Sequence, residues 1–253
     1  MPPLIFPDWI GAPPAIGAFS TERAGGTSLA PYDDGSGGGG LNFGSHTADN
    51  PDHVLQNRAR LRRLLPAEPV WLRQVHGNVV VNAATVAPNG LPAADASVAD
   101  RPGVVCAVMT ADCLPVLLCD TRGAVVGAAH AGWRGMAAGV LQNTIAAMRG
   151  AGAGDLLAWL GPSIGPRHFE VGTDVLAAFV AQDPRTAAAF RPLADQSGKY
   201  LADLYHLARL ILADSGVGRI AGGSHCTVTQ AMRFYSYRRD RETGRMATLI
   251  WIN

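Results

Sequence analysis

Residues 104–135, VVCAVMTADCLPVLLCDTRGAVVGAAHAGWRG, constrain the fold more than any other stretch of the chain. Two apolar runs, 114–119 and 124–129, flank the quartet Asp120-Thr121-Arg122-Gly123. Short apolar runs joined by a glycine-containing turn read as an antiparallel hairpin. Symmetric pairing about Thr121-Arg122 sets Cys119 opposite Ala124 and, further out, Cys113 opposite His130. Opposed residues carry Cβ atoms roughly 5 Å apart on one face. The spacing therefore predicts a thiol and an imidazole side by side at the open end of the hairpin.

Three chemistries fit such a pair. A thiolate and a neutral imidazole are two of the three protein ligands of an open zinc site. A Cys nucleophile with a His base is the second reading, and a buried small hydrophobe beside a strand-capping His is the third. Polar Asp112 and His130 at the ends of apolar strands, and the small residues of AHAGWRG, favour a site. Spacing alone does not supply a third ligand.

At 253 residues, 48% hydrophobic and 16% charged, the chain can bury a full core and has the make-up of a globular protein. Its net charge of +1 gives no electrostatic footprint for nucleic acid or anionic lipid, so neither is expected as a partner. No apolar run is long enough to span a bilayer, and MPPLIFPDWIG lacks the pattern of a signal peptide. The 4 Cys, at 106, 113, 119 and 226, follow no disulfide spacing. A cytoplasmic protein with reduced thiols is expected.

In chain order, 15–20 reads as a strand, followed by Arg23 and a Gly25-Gly26 turn whose N–H groups suit an anion. Residues 35–40, GSGGGG, read as a flexible loop, after which order returns at Leu41-Asn42. Asn50-Pro51 opens a helix with Val54, Leu55, Arg58, Leu61 and Leu65 on one stripe. Strands are expected at 70–76, 79–81, 103–110, 156–160, 219–222 and 246–252, with a loop at 95–100. Helices are expected at 135–149, 173–182 and, the longest, 199–215. With no repeat and no linker, residues 1–253 read as one α+β domain of mixed and antiparallel sheets flanked by helices.

Five motifs carry a resemblance. They are Gln74-Val75-His76-Gly77, Thr110-Ala111-Asp112-Cys113-Leu114-Pro115, Ala129-His130-Ala131-Gly132-Trp133-Arg134-Gly135, Gly161-Pro162-Ser163-Ile164-Gly165 and Tyr235-Ser236-Tyr237-Arg238-Arg239-Asp240. Together they resemble the laccase-domain or polyphenol-oxidase-like family, whose members are also described as purine nucleoside phosphorylases and as peptidoglycan-editing factors. The resemblance implies zinc held by the His of QVHG, the Cys of ADCLP and the His of AHAGWRG, here His76, Cys113 and His130. The GSGGGG stretch departs from the family pattern without touching a ligand.

The family names imply several activities. A multicopper cluster needs many His ligands, and this chain has 7 His with no His-x-His pair, so copper is the second candidate metal and laccase chemistry a weak reading. An open His₂Cys zinc site suits water activation or substrate polarisation. The resemblance then implies a zinc-dependent purine nucleoside phosphorylase with adenosine deaminase activity, on adenosine, inosine and methylthioadenosine-class substrates. Cys113, His130 and Asp112 are the catalytic candidates, Asp112 for proton transfer or for orienting a ligand. Arg23, Asn42 and Trp133 are the substrate-binding candidates, Arg23 or the 161–165 elbow for phosphate and Trp133 for stacking on the base. An amidase with Cys113 as nucleophile and His130 as base is the alternative. A zinc-stabilised binding module would need a fourth protein ligand that the motifs do not provide.

Overall fold

The apolar runs in the middle of the chain alternate between two different cores, and that alternation builds a layered fold. The structure is a computed structural model describing residues 2–194 and 196–253. Its first half runs β1 (Leu4–Ile5), β2 (Ile16–Thr21), β3 (Ala24–Ser28), α1 (Pro51–Arg62), β4 (Pro69–Val70), β5 (Val80–Asn82), β6 (Ala96–Ala99), β7 (Val105–Thr110), β8 (Leu114–Asp120) and β9 (Val126–Ala131). The second half runs α2 (Trp133–Ala137), α3 (Val140–Gly150), β10 (Leu156–Leu160), β11 (Glu170–Gly172), α4 (Thr173–Val180), β12 (Phe190–Pro192), β13 (Lys199–Ala202), α5 (Leu204–Asp214), β14 (Arg219–Gly222), α6 (Tyr237–Asp240) and β15 (Met246–Ile252).

A five-stranded sheet is ordered β1-β2-β15-β7-β4 and a six-stranded sheet β14-β10-β8-β9-β6-β5; β11, β13 and β12 form a small third sheet. Side chains alternate across a strand, and here both faces are covered. From β8, Leu117 and Cys119 join Cys106, Val108 and Ile250 of the five-stranded sheet in a core between the sheets. Its other face, Leu114, Val116 and Leu118, packs on Val140, Ile145 and Leu207 of the helices. Val105, Ala107 and Leu249 turn the opposite way, to Leu61 of α1. The layers are helix, sheet, sheet, helix. Strands covered on both sides lose the apolar–polar alternation and read as continuous apolar runs. Among the described residues no helix is long and apolar enough to cross a membrane.

Several elements differ from the sequence reading, each for a local reason. The hairpin pairs Pro115 with His130 and Cys119 with Val126, two residues from the expected register. Asp120 is the cause: its side chain accepts the Ala124 and Val125 N–H groups at 2.6 and 3.0 Å and closes a wider loop. Residues 71–76 leave the sheet after β4: the Arg73 N–H goes to the Pro92 carbonyl, and the Asp95 carboxylate takes the Val75 and His76 N–H groups. Residues 96–99, expected in a loop, are a buried strand of small residues between β9 and β5. The helix expected at 135–149 breaks at Gly139, whose φ of 92° is left-handed. That expected at 199–215 begins only at Leu204, where the Asp203 carboxylate caps the His206 N–H at 3.0 Å; 199–202 pair as β13 instead. At 12 residues α1 is longer than α5, and Leu55 on it is exposed while Asn57 is buried. Asn57 earns that place by donating to Ser28 Oγ and to the Gly40 and Asn42 carbonyls. The GSGGGG stretch is held as well, with the Asp33 and Asp34 carboxylates accepting N–H groups from Gly35, Ser36, Gly37 and Gly38.

Candidate metal centre

The chain crosses from the five-stranded to the six-stranded sheet twice at one end, through 71–79 and through 111–113, and β9 finishes at that same end. His76, Cys113 and His130 come from these three places. Their ligating atoms all lie within 4.8 Å of one another. The register shift of two preserves the face, because side-chain direction repeats every two residues. Cys113 and His130 therefore still meet at the mouth of the inter-sheet core. Cys113 Sγ is 3.8 Å from His76 Nε2, and the two imidazole rings stand edge to face with centroids 4.9 Å apart. His130 is buried, Cys113 half-buried and His76 exposed, so the group opens outward on one side.

Two backbone features make the meeting geometrically feasible. Both His76 (φ 59°) and Asp112 (φ 96°) are non-glycine residues in the left-handed region, a strain that accumulates at functional sites. Glycine at 132 is required by closeness: an added Cβ would stand 2.9 Å from Cys113 Sγ and 3.2 Å from His76 Cδ2. Gly132→Ala is expected to retain the fold and weaken metal binding about tenfold, the order of a crowded contact. Titration with a zinc chelator measures it, and an unchanged affinity would show that the ligands do not need this gap.

Asp95 was not singled out by the sequence, yet it organises the centre. Its buried carboxylate accepts Val75, His76 and Gly77 N–H groups at 3.2, 2.9 and 2.7 Å and sits 2.8 Å from His130 Nδ1. One side chain thus shapes the QVHG loop and commits His130 Nδ1, leaving Nε2 for the centre. Burial disfavours the Asp95 anion, but the His130 bond and the backbone donors hold its pKa below the ordinary value. Burial also opposes charge on Cys113; the His130 charge and hydrogen bonds from His130 and His76 outweigh it and bring the thiol down to about 6. Burial likewise opposes charge on His130, which the Cys113 thiolate and the Asp95 bond raise to about 9. A thiolate, two imidazoles and a carboxylate behind one of them suit a borderline-soft divalent cation such as zinc.

A cavity of about 710 Å³ opens over this group. Leu72, Met109 and Ile164 form apolar wall, Phe169 and Tyr237 offer aromatic rings, and Arg73, Arg238 and Arg245 bring positive charge. Arg245 donates to the Thr243 and Gly244 carbonyls at 2.8 and 2.9 Å and has no carboxylate partner among the described residues. His46 lines the same wall, its pKa lowered by burial and by the Arg245 and Arg58 charges, which keeps the ring neutral.

The other sequence candidates lie elsewhere or are already engaged. Arg23 is buried and does not line the cavity; it donates to the Asp33 and Ala231 carbonyls and stacks 4.8 Å over Tyr235. The Gly25 and Gly26 N–H groups are taken by the Gly39 carbonyl at 3.1 and 3.0 Å. Asn42 is fully buried between Thr47, Asp49, Gly44 and Arg245. Trp133 packs against the helix-side core with Arg134 over its ring. The 161–165 elbow has no donor to spare: Gly161, Ser163, Ile164 and Gly165 N–H groups go to Pro115, Tyr205, Asp112 and Cys226. Asp112 does line the cavity, but its carboxylate is filled by Thr227 Oγ1 at 2.5 Å and Arg238 N at 2.6 Å. Arg23, Asn42 and Trp133 thus serve the scaffold, and Asp112 holds cavity walls together. Arg73 and Arg245 stand outside the quoted motifs, where an isolated arginine carries no spacing signal; Arg238 lies inside the 235–240 motif, which carried the resemblance but no role for that residue.

Fold and site together define an α+β protein with an open His₂Cys group that could hold a metal ion. The chain belongs to the family described as multi-copper polyphenol oxidoreductase laccase, whose model matches residues 17–253. It is 52% identical over its full length to the full length of a protein of Escherichia coli named purine nucleoside phosphorylase YfiH. A Pseudomonas aeruginosa protein also named purine nucleoside phosphorylase is 50% identical, covering 97% of each chain. Among solved structures, a Neisseria meningitidis protein superimposes with a TM-score of 0.90 at 51% identity, covering 99% of both chains. YlmD from Geobacillus stearothermophilus gives 0.83 at 31% identity, over 95% of this chain and 93% of that one.

Proposed function

We propose that this protein is a zinc-dependent purine nucleoside phosphorylase that also deaminates adenosine. The observation that carries the reading is the open His76–Cys113–His130 group at the floor of a cavity walled by aromatic side chains and by arginines that make no ion pair among the described residues. Relatives named purine nucleoside phosphorylase over the whole chain length support it. Among the described residues there is one group of three metal-ligating side chains, which accords with a single zinc rather than a copper cluster. Zinc held there would supply Lewis-acid polarisation.

The chain's own residues supply the rest. Phosphorolysis needs an anion held against the ribose, and Arg245, with Arg238 and Arg73 around it, takes that role in place of Arg23. Phe169 and Tyr237, with Arg238 and Arg241 over their rings, line the wall a purine would lie against, and apolar Leu72, Met109 and Ile164 would exclude water beneath it. Neutral His46 is placed to hydrogen-bond the departing base. The 4 cysteines of the sequence are all free thiols in the structure, which accords with a cytoplasmic protein.

Incubating the pure protein with adenosine tests the reading. Ribose 1-phosphate and adenine should form only when phosphate is present, and inosine should form without it. Arg245→Ala should raise the KM for phosphate about 10- to 100-fold, the scale of one charge-assisted hydrogen bond of ~1.5–3 kcal/mol, while deamination changes little. Absence of any phosphate-dependent product would reject the phosphorylase. One observation favours the amidase instead: with Cys113 lowered to about 6 and His130 raised to about 9, the two would rest as a thiolate–imidazolium pair with Asp95 behind it, a nucleophile, a proton donor and an orienter. His76→Ala separates the two, since it should abolish nucleoside turnover yet leave a Cys–His amidase part of its activity.

A further inference from the structure

Just past the 161–165 elbow, and lined by none of His76, Cys113 and His130, lies a second cavity of about 710 Å³. It is bounded by residues 165–168, by α5 and by residues 223–229. Both carboxylates on its wall are engaged. Asp203 caps α5 through the His206 N–H, and Asp214 pairs with Arg185, which Asp183 also holds. The Asp203 carboxylate keeps its charge, since the N–H it caps is neutral, while Arg209 and Arg167 carry no ion pair among the described residues. Arg209 donates to the Ile220 and Gly222 carbonyls at 2.9 and 2.7 Å, neutral acceptors that fix its plane and leave its charge unpaired. Arg167, His168 and His206 line the same space, and their side chains make no hydrogen bond or ion pair among the described residues. Leu210 and Ala213 give α5 an apolar side toward it.

A guanidinium fork held in one orientation matches the oxygens of a phosphate better than any other common anion except a carboxylate. The volume falls in the ordinary range for small-molecule pockets. The wall combines that fixed fork, a free arginine and two imidazoles with a short apolar strip. We propose that this cavity is a second ligand site, taking a small phosphate-bearing molecule whose phosphate lies between Arg209 and Arg167 beside His206. Its sugar or apolar body lies along Leu210 and Ala213. The inference is independent of what the metal centre does.

Calorimetric titration of the purified protein with ribose 5-phosphate, inorganic phosphate and ribose provides the test. A binding component for ribose 5-phosphate should weaken at least about tenfold in Arg167→Ala/His206→Ala and stay unchanged in Arg245→Ala, which perturbs only the metal-centre cavity. Ribose should not bind there; equal affinity for inorganic phosphate would identify the free ion as the ligand. Arg167 is exposed, so Arg167→Glu alone repeats the loss without disturbing the fold. The site is overturned by an isotherm that neither Arg167→Glu nor the double variant alters. It is equally overturned by a component lost only in Arg245→Ala, or by no phosphate binding at millimolar concentration.

Discussion

Replacing Cys113 by alanine is expected to strip most of the zinc from the protein and to end phosphate-dependent release of purine. The reason is arithmetic of ligands: three protein donors converge, and the sulfur is the softest and most charged of them. Metal that binds only the folded chain adds stability by mass action, about 4 kcal/mol at free metal a thousandfold above Kd. For a chain of this size that corresponds to a fall in Tm of roughly 10 °C. Chelation should lower the Tm of the parent protein by a similar amount and leave Cys113→Ala where it is. Acid should release the metal in the same way, because a protonated thiol is no ligand: proton and metal compete for Cys113 at a pH below the value of about 6 that the metal-free thiol has. Elemental analysis decides the matter: one zinc per chain retained in Cys113→Ala would remove this site.

The layered fold was legible wherever a strand is buried on both faces, because burial on two sides writes an unbroken apolar run, as in β7, β8, β10 and β15. It was illegible where a side chain replaces a backbone partner. Residues 71–76 have strand-like composition, yet Gln74 clamps Met109 through both its amide groups and Asp95 collects the next three N–H groups. Asp120 shifted the hairpin register by the same means. The Cys113–His130 pairing survived because the shift was even. His76 came from resemblance alone, since no spacing rule distinguishes it from His46 or His225. Arg23 shows the converse error. An arginine beside two glycines looks like an anion site, but here the glycine N–H groups meet a carbonyl and the guanidinium is buried among carbonyls and an aromatic ring.

Asp95→Asn should be the most damaging change at a residue that cannot touch the metal. Its two oxygens accept four N–H groups, three from the QVHG backbone and one from His130. Asparagine keeps the shape but turns one acceptor into a donor, facing N–H groups that need a partner. Second-layer partners of metal-bound imidazoles tune affinity by about 10- to 100-fold, and zinc affinity should fall by that amount. Each hydrogen bond to a charged group contributes ~1.5–3 kcal/mol, so the metal-free protein should lose stability as well. The two effects are separable in the metal-free state. Asp95 raises the His130 pKa, so its removal should move His130 back toward the ordinary imidazole value, a shift readable by NMR of the ring protons. A residue that merely braced the 71–79 loop would lower stability without moving that titration. Zinc affinity within twofold of the parent, with His130 still titrating near 9, would strip Asp95 of the positioning role.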